Sequence, residues 1–298
     1  MMNYHRNLMH QNAHLFDAGA FETRREFFMD RLSLSYLTYG ECNPLTMLPL
    51  AAAAGFDEVG LRILPSGPGQ PQPVLGQDED LGREVVRRAR DFGLAISDIE
   101  MIRLGDRTKI GDLRPFFDRA SLLGGRHVLV AGDDTDRSRL IDNFGGLCRL
   151  ATEYGMTIDL EFMPWTAVPD VRDARAVVEQ AGCSNGAVLV DGLHYQKCGS
   201  ALDEVEALPA GMLNYMQLCD GPADFARDDA AMLYAARHDR LMPGDGDADL
   251  VGLVRAMPKD FVFSVEVPND RLLAELGLEA FIATAYRSAR YVLAAAGR

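Results

Sequence analysis

The sequence is short of positive charge: 30 Lys and Arg stand against 44 Asp and Glu, a net charge of −14 at pH 7. Gripping a phosphate backbone needs a basic stripe, and none is present, so nucleic acid is excluded as a partner. Cysteine is scarce and scattered. The five, Cys42, Cys148, Cys183, Cys198 and Cys219, form no C-x-x-C pair. That argues against a disulfide framework and a structural zinc site, and it fits a reducing cytoplasm. No apolar run reaches bilayer-spanning length, so no membrane span is expected. Residues 1–30 lack the apolar stretch behind positive charge that marks a secretory leader. No G-x-G-x-x-G follows the first strand-like segment, which disfavours an open dinucleotide-binding sheet.

What is present is a regular alternation of strand-length apolar runs and helical segments. Strands are predicted at 32–37, 58–64, 95–102, 126–131, 156–162, 186–191, 212–218 and 261–266. Helices are predicted at 44–54, 80–93, 136–154, 170–182 and 278–296. The punctuation agrees: Asn43-Pro44 reads as an N-cap with Pro at the first helical position, and Asp170 caps a helix that ends at Gly182. Eight strands separated by helices demand parallel pairing, in a closed barrel or a doubly wound sheet, and the number eight favours closure. The expected fold is therefore α/β, a single (β/α)8 TIM barrel over residues 32–298. Before it lies an N-terminal extension, residues 1–31, helical over 12–30. Its pair Phe27–Phe28 would pack on the barrel or on a second subunit of a homo-oligomer.

Side chains alternate along a strand, so the face of each polar residue can be worked out. In 156–162 the residues Met156, Ile158, Leu160 and Phe162 form the helix-facing side, which turns Glu161 inward. The same reasoning turns Asp191, Gln217 and Glu266 inward at the ends of the next three strands. Strand C-termini are where barrel enzymes keep their chemistry. Three carboxylates converging there need a cation or shared protons, and an all-oxygen set suits a hard ion such as Mg2+ or Mn2+. A single acidic residue at a strand end is more often a helix N-cap; four in succession, all in the inward phase, are harder to explain that way. Arg62 also falls in the inward phase, where it can meet an anionic group of a substrate or form a salt bridge with Glu100.

The segments LEFMPW around Glu161, DGLH with Asp191 and His194, QLCDG around Gln217, the R-x-x-P-G-D-G turn from Arg240, and SVEVP around Glu266 resemble the xylose isomerase-like TIM-barrel superfamily. That group contains sugar isomerases, ketose 3-epimerases, inosose and 3-dehydroshikimate dehydratases, and endonuclease IV. The resemblance covers about residues 32–295 and implies one divalent metal ion bound by Glu161, Asp191, Gln217 and Glu266. It implies further that Glu161, Glu266 or His194 moves protons and that Arg240 touches substrate. Two departures stand out. Many members have His at the Gln217 position, although Gln occurs among dehydroshikimate dehydratases. Ketose 3-epimerases carry a second Glu six residues after the first ligand, where this chain has Ala167, and Trp165 nearby offers an indole wall to the substrate instead. Endonuclease IV is disfavoured by missing histidines and basic loops.

The chemistry the resemblance implies is proton removal beside a carbonyl, with the metal stabilising the enediolate oxyanion. The leading expectation is a metal-dependent isomerase or epimerase of a small polyhydroxylated carbonyl compound. A dehydratase of the dehydroshikimate or inosose kind is the alternative lyase, and a non-catalytic sugar-binding barrel is the alternative of another class. Two loops are expected to shape the site. One is the Pro- and Gly-rich 65–77; the other is 219–246, which carries Arg240 and is long enough for a lid or clamp.

Overall fold

The computed structural model describes residues 30–40, 42–65, 67 and 70–298. The expected N-terminal helix and Phe27–Phe28 lie outside the described residues, apart from Asp30. Eight parallel strands close into a barrel in chain order: β1 (Arg31–Leu34), β2 (Glu58–Arg62), β3 (Ala95–Leu104), β4 (His127–Gly132), β5 (Thr157–Glu161), β6 (Gly186–Asp191), β7 (Tyr215–Leu218) and β8 (Val262–Val265). The last strand pairs with the first, Leu34 opposite Val265. Helices connect the strands, as the alternating pattern requires. No described helix is long and apolar enough to cross a membrane.

Local sequence explains the helix ends. Asn43 accepts a hydrogen bond from the Leu45 amide with Pro44 at the first position, and the helix Pro44–Ala54 stops at Gly55 in the left-handed region. Asp170 caps Val171–Ala181 in the same way, through the Asp173 amide, and Gly182 ends it at φ +66°. Several expected strands overrun the observed ones, the first and the seventh by three residues each. Tyr36 and Leu37 belong to a helical turn, Tyr36–Tyr39, because side chains pin that segment to the barrel rim rather than to the ladder. The Thr38 hydroxyl donates to the Val265 carbonyl and the Tyr39 hydroxyl to Gly60. Residues Ala210–Met212 form a 3-10 turn, and β7 begins only at Tyr215.

The apolar residues divide as the strand phase demands. Ile158, Leu160, Val188, Val190, Met216 and Phe263 join the large outer core beneath the helices. Met101, Leu129, Ala131, Met163, Leu189, Tyr215 and Val262 form a separate inner cluster, with Trp165 packed against it. This plug makes the barrel a filled core and supplies a firm floor to whatever lies above it.

Candidate metal centre

Each expected ligand is delivered by the end of a strand. Glu161 is the last residue of β5 and Asp191 the last of β6. Gln217, in β7, is the register partner of Asp191, and Glu266 directly follows β8, its amide donating to the Leu218 carbonyl. All four side chains are buried. Acceptor atoms of Glu161, Asp191 and His194 lie within 4.8 Å of one another. The Gln217 amide nitrogen donates to Glu266 Oε1 at 2.7 Å, and Arg240 joins the two groups, with Nη1 2.5 Å from Asp191 Oδ2 and Nη2 2.8 Å from Glu266 Oε2.

Asp191 is also a helix cap: its Oδ1 accepts from the His194 amide at 2.8 Å and so starts the short helix Gly192–Cys198. Both oxygens of the carboxylate are engaged, Oδ1 by this amide and Oδ2 by Arg240. Gly192 permits the sharp entry, since a Cβ there would lie 2.6 Å from the Cys219 carbonyl oxygen. The helix turns the His194 ring back over the site, with Nε2 3.4 Å from Glu161 Oε1. Trp165 meets the imidazole edge-to-face, ring centroids 5.0 Å apart, and lines the cavity as expected.

The mouth is crowded with charge. Glu100, Glu161, Asp191 and Glu266 are all buried there, against two buried guanidiniums, Arg62 and Arg240. Ser35 Oγ lies 2.7 Å from Glu266 Oε1 and 3.1 Å from Glu100 Oε1, so its single proton serves one of them at a time. Burial, Asp191 and Glu266 hold the Glu161 carboxyl well above the usual range. Burial pushes Glu266 up to about 7 despite the opposing pull of Arg240. Asp191 is the exception: Arg240, His194 and the hydrogen bonds outweigh its burial and lower it. Burial brings His194 down to about 4, leaving a neutral imidazole at neutral pH. Among the buried polar atoms here without a hydrogen-bond partner are Gln217 Oε1, His194 Nδ1 and Arg62 Nε.

Arg240 is not in an exposed turn. It is 2% exposed and locked between Asp191 and Glu266, because the chain around it is pinned from both sides. Its amide donates to Pro268, and Asn269 donates to its carbonyl. Arg62 pairs with Glu100 at 2.6 Å, its register neighbour across β2 and β3, and also borders the cavity. Both expected loops border a cavity of about 1130 Å³. The segment 219–246 is more than a loop, since it contains the helix Asp229–His238. Sequence reasoning missed Ser35, hidden in an overlong strand, and Arg103 and Arg237 on the cavity wall. Asp228 as N-cap and the apolar spacing Met232, Leu233, Ala236 were the available signals for that helix.

A family model for the xylose isomerase-like TIM barrel matches residues 48–288. The chain belongs to that family. No curated protein matches the sequence. Among solved structures, a zinc-bound IolI protein superposes with a TM-score of 0.76 at 20% identity, over 89% of this chain and 98% of its own. A fusion of a xylose isomerase-like TIM barrel with a 4-hydroxyphenylpyruvate dioxygenase gives 0.71 at 22% identity, covering 88% of this chain and 42% of the fusion. The D-psicose 3-epimerase of Clostridium cellulolyticum H10, solved with D-tagatose, gives 0.69 at 13% identity over 88% and 99%. At these identities the likeness shows the xylose isomerase-like fold alone.

Proposed function

We propose that this barrel binds one divalent ion, Mg2+ or Mn2+, through Glu161, Asp191, Gln217 and Glu266, and acts as an isomerase or epimerase of a small polyhydroxylated carbonyl compound. One observation carries the reading. Fully ionised, the four buried carboxylates would outweigh the two buried arginines by two charges, which a divalent cation would neutralise in place of the protons that burial otherwise favours, with the unpartnered Gln217 oxygen beside it as a neutral ligand. The donor set therefore fits the ion. Held by these residues, such an ion would supply Lewis acidity to a carbonyl and its adjoining hydroxyl, which would make the C–H at that carbon more acidic. Neutral His194 can accept a proton, and Glu161, 3.4 Å away, can exchange one with it. Trp165 fixes the imidazole plane and covers the inner cluster.

A second reading, dehydration of a cyclic hydroxyketone, is favoured by Ala167. Its amide donates to the Gly132 carbonyl and its side chain offers no second carboxylate, so His194 is the proton carrier outside the ligand set. Elemental analysis of protein equilibrated with Mn2+ tests the site, with one ion expected per chain and less in Glu266→Gln and Asp191→Asn. Undiminished metal in both variants would sink it. Pooled ketoses, inososes and dehydroshikimate, followed by mass and NMR, separate the reactions, since dehydration loses a water mass and isomerisation does not. No chelator-sensitive turnover of any pool would leave a non-catalytic sugar-binding barrel.

A further inference from the structure

Four arginines border the cavity, and their circumstances differ. Arg240 is locked between Asp191 and Glu266. Arg62 holds Glu100 through Nη2 and lies 4.6 Å over the Tyr36 ring, yet its buried Nε has no acceptor. Arg103 grips Asp133 with two hydrogen bonds, at 2.6 and 2.7 Å. Arg237, in the last turn of the helix Asp229–His238, forms no ion pair among the described residues. Partial burial, and after it the charges of Arg103 and Arg62, lower its pKa from the ordinary value.

An arginine in a last helical turn is ordinary, because a cation there complements the helix dipole. That role does not explain why Arg62 and Arg103 line the same cavity as Arg237 in a protein of net charge −14. A purely structural cation would sit beside one of the many carboxylates. The local charge balance sharpens the point. A divalent ion would complete the neutrality of Glu100, Glu161, Asp191 and Glu266 with Arg62 and Arg240. Arg103 is balanced by Asp133, and Asp270 at the rim is exposed and lies 3.0 Å from His238. Arg237 is the charge left over, and it faces the same space as the metal centre.

We propose that Arg237, with Arg103 and Arg62 lining the same cavity, forms an anion subsite there, so that the substrate is a polyhydroxylated carbonyl compound bearing a carboxylate or a phosphate. Guanidinium forks suit both groups, and their preorganisation here is what an anionic ligand recovers. This rests on the proposal that the cavity binds such a carbonyl compound, but the test is separate from metal binding. Wild type and Arg237→Gln are titrated calorimetrically with matched pairs, each an anion and its neutral twin: gluconate and glucitol, quinate and its methyl ester, fructose 6-phosphate and fructose. Each titration is run with Mn2+ and again with EDTA, with metal content and Tm measured alongside.

At least one anion is expected to bind wild type about tenfold or more tightly than its twin, and Arg237→Gln to lose most of that preference. Metal content and Tm should not change. Arg237→Lys, which keeps the charge without the fork, should fall between. Preference among carboxylates or for the phosphate identifies the group. Equal affinity for anion and twin throughout, or no binding of any anion, overturns the proposal, as does full preference retained in Arg237→Gln. Failure to take up Mn2+ counts against the metal centre alone, since the anion comparison stands in EDTA.

Discussion

Arg240 ties Asp191 to Glu266, and its burial makes it part of the charge structure of the candidate metal centre. Removing one partner from a buried ionic group leaves the others uncompensated, which costs about 3 kcal/mol or more. In Arg240→Met, Asp191 and Glu266 lose that partner. Urea unfolding in EDTA should show a stability loss of about 3 kcal/mol, and saturating Mn2+ should restore part of it by supplying a cation to the same carboxylates. Wild-type stability in EDTA would mean that Arg240 serves the substrate only. At Gln217 the expectation is different. Gln217→His should keep one metal per chain but shift selectivity toward Co2+ or Zn2+, because imidazole is a softer donor than an amide oxygen. Competition dialysis measures this, and a folded variant without metal would remove Gln217 from the ligand set.

The segment after β7 carries two of the four cavity arginines, Arg237 and Arg240, and one buried carboxylate organises it. Asp220 accepts from the amides of Gly221, Gly244 and Ala248, while its backbone pairs with Leu241 in both directions. Gly246 must be glycine for this to close, since a Cβ would lie 2.3 Å from Asp220 Oδ1 and 2.5 Å from the Gly221 carbonyl. Asp220→Ala forfeits three charge-assisted hydrogen bonds, and a loss of about 3 kcal/mol is expected. Hydrogen exchange should show the Leu241 amide losing protection, with little change at β5 and β6. Unchanged protection would mean that the segment is held by its helix alone. Length alone suggested a lid here. The structure adds a helix within the segment and a buried carboxylate that anchors both its ends.

The barrel as a whole buries ionisable groups at its other end too, and there their effects oppose. His127 opens β4, and its Nδ1 contacts the Thr157 hydroxyl at 2.8 Å; that hydroxyl donates to Asp159 at 2.6 Å. Burial, with Arg126 and Arg31, lowers His127 to about 4, and burial raises Asp159 to about 6. Between pH 4 and 6.5 the unfolded chain holds a proton on His127 that the folded one lacks, so this residue makes stability rise with pH. Between about pH 4 and 6 the folded chain holds a proton on Asp159 that the unfolded one lacks, so this residue makes stability fall as pH rises. Relative to wild type, Asp159→Asn should therefore gain stability as pH rises from 4 to 6, by at most about 3 kcal/mol, and then level off. His127→Gln should show the reverse, gaining relative to wild type as pH falls below 6.5. Parallel pH profiles for wild type and Asp159→Asn would show that Asp159 is ionised throughout.

The sequence by itself determined the eight strands, the caps at Asn43 and Asp170, and the inward phase of Glu161, Asp191, Gln217 and Glu266. These follow from periodicity and from side-chain chemistry that acts within a few residues. Tertiary structure alone decided what those residues meet. Asp191 and Arg240 are 49 positions apart, and Ser35 and Glu266 are 231 apart. No local pattern encodes such encounters, because they arise only when neighbouring strands pair and, for Ser35 and Glu266, when the first strand closes on the last. Closure also settled the arginines. Arg62 had two partners open to it, and the register of β2 against β3 set it beside Glu100. Arg237 looked like any charge in a long connection until the helix that carries it was laid along the cavity, where the walls contributed by β2 and β3 gave it two like charges and no counterion among the described residues.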